Sequence, residues 1–178
     1  MHERRCSGHG WKCLPSAHGI QSMAVKPLPL PYENASSGKA AIGEMQRILQ
    51  TFGASSFGTM EDFDHGEVIV QFKWRERSVT IRASAKGYAA AWLRRHPYTS
   101  RTRGNKLDYE RRALQIGQTA VYSILRDWIK GQITAVEVGM LSFDGAFLGQ
   151  LLLQNGETVL ERIERDNLLA LEAPPAPH

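Results

Sequence analysis

The stretch EVIVQFKWRERSVTIRAS, residues 67–84, decides the fold. Apolar and polar side chains alternate in EVIVQFKW and again in SVTIRAS, which is the two-residue period of a half-covered strand. RER between them reverses the chain, so the two runs form an antiparallel hairpin. Alternation puts Val68, Val70, Phe72, Val79 and Ile81 on the covered face. It leaves Gln71, Lys73, Thr80 and Arg82 on the other, with Arg75 and Arg77 at the tip.

Outward from this hairpin the elements fall into place. SSFGTMED, ahead of the turn FDHG, reads as a preceding strand. Before it, Ala41, Met45, Ile48, Leu49 and Phe52 recur at helical spacing, with Ser36 and Ser37 as caps and Gly53 as the stop. After the hairpin, Ser84 can cap a helix through AKGYAAAWLRR, and Pro97 and Gly104 keep residues 96–104 out of helix. Asn105, with Asp108 three residues on, opens the longest element, whose apolar stripe runs from Leu114 to Val136 before Gly139 ends it. About 33 residues of helix span roughly 50 Å. That exceeds the width of the core, so this helix is expected to kink near Gly117 or Gly131 or to project into a partner chain. Ser142 can cap a short helix through Phe147, and LLLQNGETVL suggests a brief strand, an Asn-Gly turn and a final helix.

The expectation is an α+β protein: helix, three-stranded antiparallel sheet, helix, then a long helix and a small C-terminal α/β subdomain. Its divisions are a disordered leader (1–36), an α-β-β-β-α domain with a basic loop (37–104), the long helix (105–139), the subdomain (140–170) and a tail (171–178). Within the leader, KPLPLPY favours an extended conformation, and Met23 just before it is a candidate start. At 178 residues and 42% hydrophobic the chain can bury a core without staples. No run approaches the apolar length of a membrane span, and there is no secretory signal, so a cytoplasmic setting is expected. The two cysteines, Cys6 and Cys13, provide no disulfide framework. Together with His2, His9 and His18 they lack the tight pairs that zinc sites use, so neither metal nor cofactor is expected.

Charge is distributed unevenly. Residues 70–112 hold twelve basic groups against three acidic ones, while residues 113–178 hold four against eight. A concentrated positive field speaks to partners rather than to fold. The candidate phosphate contacts are Lys73, Arg75, Arg77 and Arg82 on the sheet, Lys86 on the following helix, and Arg94, Arg95, Arg101, Arg103 and Lys106 in the loop. Trp74 and Tyr98 are candidate stacking platforms beside them, with His96 nearby. Trp92, Trp128 and Tyr88, at helical spacing with apolar neighbours, read as core. The expected partner is DNA or RNA, or else an acidic host protein, with a homo-oligomer formed through the long helix. A shared basic face is the condition on which nucleic-acid binding rests.

Catalytic motifs are sparse. SGKA is no phosphate loop, because Glu33 and Ala40 stand where a glycine and a Ser or Thr are needed. Asp62, Asp64 and Glu67 followed by Gln71 and Lys73 resemble the PD-(D/E)XK nucleases, which hold magnesium with acids beside a lysine, although Gln71 replaces the second acid. A magnesium-dependent nuclease is therefore the third functional expectation.

Two further resemblances bear on function. FDHGEVIVQF followed by ASAKGYAAAWL is similar to the His-containing loop, strand and second helix of the double-stranded RNA-binding domain, which implies RNA contacts at His65 and Lys86. The segments YAAAWLRR, WIKGQITAVEVG and LLLQNGETVLERI resemble a group of small phage and prophage proteins of proteobacteria, over about residues 24–166. That resemblance implies a mobile-element setting and no particular chemistry.

Overall fold

A computed structural model describes residues 28–169. The leader's zinc-like residues, the candidate start at Met23 and the C-terminal tail lie outside this range. The elements are α1 (Gly38–Phe52), β1 (Ser56–Asp62), β2 (Glu67–Trp74), β3 (Arg77–Ser84), α2 (Ala85–Arg95), α3 (Lys106–Glu137), α4 (Phe143–Phe147) and α5 (Val159–Arg165). The strands form one antiparallel sheet in the order β1-β2-β3. This is the mixed α+β arrangement expected from the sequence.

Local chemistry accounts for the boundaries. The Ser37 hydroxyl accepts from the Ala40 amide at the start of α1, and Gly53 closes that helix at φ 93°, in the left-handed region that glycine tolerates best. Ser84 caps α2, Asn105 caps α3 and Ser142 caps α4, each accepting from the amide three residues on. Thr158 and Glu161 form a reciprocal capping box at α5.

The covered face of the sheet is the one the alternation specifies: Val68, Val70, Phe72, Val79 and Ile81 are all buried. Two helices lie over it. Met45 and Leu49 come down from α1, and Val121, Leu125, Ile129 and Ile133 from α3. Phe143 and Phe147 of α4 close one end of this core, with Phe147 set edge-on to both Phe72 and Trp128. Residues 140–169 are thus built onto the main core rather than standing apart from it. Leu151 and Leu152 extend the join, because they pair with the outer edge of β3 through the Leu152 amide and the Ser78 carbonyl.

The length of α3 is used inside the molecule. Its C-terminal half packs on α1 and the sheet, and its N-terminal half packs on α2, which runs back alongside it. Gly117 marks the crossing. A Cβ there would lie 2.5 Å from the Ala85 carbonyl oxygen and 3.2 Å from the Ala89 amide nitrogen, so its absence permits the close approach of two backbones. The expected break at Gly117 is therefore a contact point in a helix that runs unbroken from Lys106 to Glu137. Residues 28–36, assigned above to a leader, lie across α2 and α3 as a strap. Tyr32 donates to Asp127 at 2.8 Å, Tyr88 donates to the Pro31 carbonyl at 2.6 Å, and Arg95 donates to the Leu28 carbonyl at 2.7 Å. Among the described residues, no helix is long and apolar enough to cross a membrane.

Candidate nucleic-acid interface

Because α2 runs antiparallel to the first half of α3, the two form an arm whose tip is the loop 96–105. The pairing is closed by aromatics. Trp92 lies 4.5 Å from His96 and 5.5 Å from Tyr109, and Tyr98 lies 5.7 Å from Tyr109, centroid to centroid. The Tyr109 hydroxyl donates to the His96 carbonyl, and the Tyr98 hydroxyl to the Gly104 carbonyl. The loop is thus fastened to the helices it joins, so its charged side chains have a defined base. Tyr98 is at the margin of exposure, with its ring in this cluster and its hydroxyl engaged, and it is better suited to holding the loop than to stacking a base.

The basic groups separate into two sets. Arg94, Arg95, Arg101, Arg103, Lys106, Arg111 and Arg112 are all exposed at the tip, where residues 94–112 hold seven basic against two acidic groups. Lys106 pairs with Glu110 and Arg111 with Asp108, while Arg95 spends one N–H on the strap. Arg94, Arg101, Arg103 and Arg112 have no salt-bridge partner among the described residues. The last of these was missing from the sequence-based set. It belonged to the same basic block, and the signal that could have found it was its helical position just past the loop.

The sheet set lies elsewhere and is largely engaged. Trp74 is half-buried between Phe52, 5.1 Å away, and Phe143, 4.5 Å away, with the Arg75 guanidinium 4.2 Å over its ring. It is no free platform for a base, contrary to expectation, because Phe143 arrives from a distant part of the chain to cover it. Arg77 makes a bidentate pair with Asp144 at 2.8 and 3.0 Å, and Arg82 pairs with Glu161 at 3.4 Å. Lys86 folds its stem over Gly66 and donates to the Asp64 carbonyl at 2.5 Å. His65 is likewise turned to Asp62, whose carboxyl is held below the usual range by hydrogen bonds from the His65 amide and ring. Both positions implied by the RNA-binding resemblance thus serve the β1–β2 turn. Lys73 alone of the sheet set is exposed without an ionic or π partner among the described residues.

Distance along α3 decides whether the sets meet. Tyr109 touches the tip loop, and Trp128 touches Phe147, whose neighbour Phe143 packs on Trp74. The 19 helical steps from Tyr109 to Trp128 correspond to about 28 Å of helix. The hairpin tip and the arm tip are therefore at opposite ends of the molecule, so the two halves of the basic block, whose meeting the sequence left open, form separate surfaces and the condition of one shared face is not met.

The nuclease constellation is likewise drawn apart. Asp62 pairs directly with Glu67 at one end of the sheet, whereas Lys73 is six residues further along β2, about 20 Å at strand rise. Among the described residues, no group of three or more His, Cys, Asp or Glu side chains could hold a metal ion.

Elsewhere, sequence reasoning missed the polar ties of α3. Tyr122, buried under Gly38, donates to Glu61 at 3.0 Å, and burial with that carboxylate raises its phenol well above the ordinary range. Asp127 is held low in pKa by Arg126 and by the Tyr32 hydroxyl. Compared with family models, with curated proteins and with solved structures, the chain has no match.

Proposed function

We propose that this chain is a non-catalytic nucleic-acid-binding protein that grips the phosphate backbone with the tip of the α2–α3 arm, in the phage or prophage setting its resemblance implies. The observation that carries this reading is the exposed tip, where seven basic groups face two acidic ones and four arginines have no salt-bridge partner among the described residues. Arg94, Arg101, Arg103 and Arg112 are the principal contacts, with Arg95 and Lys106 beside them. Guanidinium groups without acidic partners pair with phosphate oxygens whatever the base, so recognition is of the backbone. Lys73, Arg75, Arg77 and Arg82 are not part of it, so the reading no longer rests on a face shared with the sheet but on the density of exposed arginines at the tip alone.

Backbone neutralisation releases counterions, and each phosphate contact contributes about 0.7 to 0.9 to the slope of log affinity against log salt. Fluorescence anisotropy of the full chain with single- and double-stranded DNA and RNA measures that slope. Arg101→Glu with Arg103→Glu should weaken binding at least about tenfold and lower the slope by about 2. Lys73→Ala should change neither. Absence of binding at low salt, or binding indifferent to the double variant, defeats the proposal. A lysate partner that depends on Arg101 and Arg103 and survives nuclease would replace nucleic acid with an acidic protein.

A further inference from the structure

The sheet has two edges, and they are treated differently. The outer edge of β3 is partly occupied by Leu151 and Leu152. β1 pairs with β2 on one side, and among the described residues no segment pairs with its other side. Every second residue of such a strand directs an unpaired N–H and C=O outward. Edge strands that stay solitary usually carry charges, lysine above all, proline or a bulge along their length, whereas the two charges of β1, Glu61 and Asp62, stand at its last two positions and are tied to Tyr122 and His65. SFGTMED, residues 56–62, contains neither lysine nor proline and pairs with β2 in unbroken register.

We infer that β1 is the contact through which two copies of this chain associate, antiparallel about Thr59, joining two three-stranded sheets into one of six. The strand is complementary to itself in that register. Thr59 meets Thr59 of the second copy, and each Met60 lies opposite a Gly58 on the open face of the sheet. Met60 is 57% exposed, and a Cβ built on Gly58 meets nothing within 4 Å, so a projecting side chain and a bare stretch of backbone are matched twice by one two-fold axis.

Charge agrees with this register. Asp62 of one copy lies opposite Ser56 of the other rather than opposite an acid, and Ser56 in turn pairs with Lys73 on β2. Asp62, Ser56 and Lys73 then form a row on one face, with the outer Cα atoms two strand spacings, about 10 Å, apart. The combined lengths of an aspartate and a lysine side chain span that interval over a small serine. Asp62 keeps its hydrogen bonds from the His65 amide and ring, and its carboxylate also brings the second copy's Lys73 the negative charge it lacks within the described residues. Self-association thus shifts from α3, whose apolar stripe is covered by α1, α2 and the sheet, to the edge of β1.

Sedimentation velocity or light scattering on the full chain tests the inference directly, with a dimer expected at about 0.1 mM protein, within the range of weak specific association. Met60→Lys puts a charge on an exposed edge position and should weaken the dimer at least about tenfold while leaving the circular dichroism unchanged. Lys73→Glu, which leaves the Asp62–His65 turn intact, should weaken the dimer and Lys73→Arg should not. In a Cys6→Ser, Cys13→Ser background, Thr59→Cys should oxidise to a covalent dimer, since facing strand residues lie within disulfide reach, whereas Ser100→Cys at the arm tip should not. A monomeric wild type at that concentration, or a dimer indifferent to Met60→Lys, overturns the inference.

Discussion

Adding one methyl group at Gly117 should destabilise the protein, whereas adding the same group at Gly131, in the same helix, should stabilise it. At Gly131 a Cβ meets nothing within 4 Å, and the position is exposed, so alanine brings only its helix preference, a gain of about 1 kcal/mol. At Gly117 the same preference operates, but the new carbon would lie 2.5 Å from the Ala85 carbonyl oxygen. That atom belongs to the α2 backbone and cannot rotate away, so the helices must separate. Overpacking of this kind costs about 1 to 3 kcal/mol, and a clash with backbone belongs in the upper part of that range. The net expectation for Gly117→Ala is a loss of about 1 to 2 kcal/mol, which lowers Tm by about 2 to 8 °C for a chain of this size. Gly131→Ala should raise Tm by about 2 to 4 °C. Denaturant unfolding followed by circular dichroism compares the two variants under identical conditions, with the midpoint read at an unchanged slope. If both substitutions stabilise equally, α2 does not rest on α3 at Gly117, and the arm that displays the basic tip is wrongly drawn.

Further predictions concern the C-terminal segment, the strap and the tip. Phe147 is fully buried between Phe72 and Trp128, so Phe147→Ala should cost about 3 to 5 kcal/mol. A loss below about 1 kcal/mol, or a separate unfolding transition for residues 140–169, would show that the segment is independent of the core. Asp127 has a depressed folded-state pKa through Arg126 and Tyr32, so its contribution is present above the unfolded carboxylate pKa and is lost as pH falls through the folded value. Asp127→Asn should therefore be less stable than wild type at neutral pH, and the gap should close in acid. A gap that is constant from pH 7 to pH 2 refutes the strap's dependence on that charge. At the tip, Arg112→Ala should weaken oligonucleotide binding although the residue sits on α3 rather than in the loop, and binding equal to wild type removes it from the surface.

Much of the fold is legible along the chain because its determinants are local. Ser37, Ser84, Asn105 and Ser142 each cap the helix that the apolar spacing announces, and the alternation of 67–74 and 78–84 assigns the core face correctly, although Ile69 and Thr80 on the other face are buried as well. The candidate site was less legible. Lys86 reads as a free cation until Gly66 lets its stem lie flat against the turn, and Arg77 does so until Asp144 arrives from 67 residues away. Trp74 looks exposed beside a charged turn, and Phe143 covers it. In each case the partner is distant in sequence, and nothing in the local pattern encodes it.

By itself the sequence determined the element order, the covered face of the sheet and the presence of a dense positive block between residues 70 and 112, because periodicity, capping and net charge are properties of neighbours. Only the tertiary structure decided how that block is used. The antiparallel pairing of α2 with α3 carries the loop arginines to the far end of α3 from the hairpin, about 28 Å of helix separating Tyr109 from Trp128, and acids of α4 and α5 pair with Arg77 and Arg82 of the sheet. One basic run became an exposed tip at one end and a hairpin with two of its four cations paired at the other, since the direction in which a helix returns is set by long-range packing.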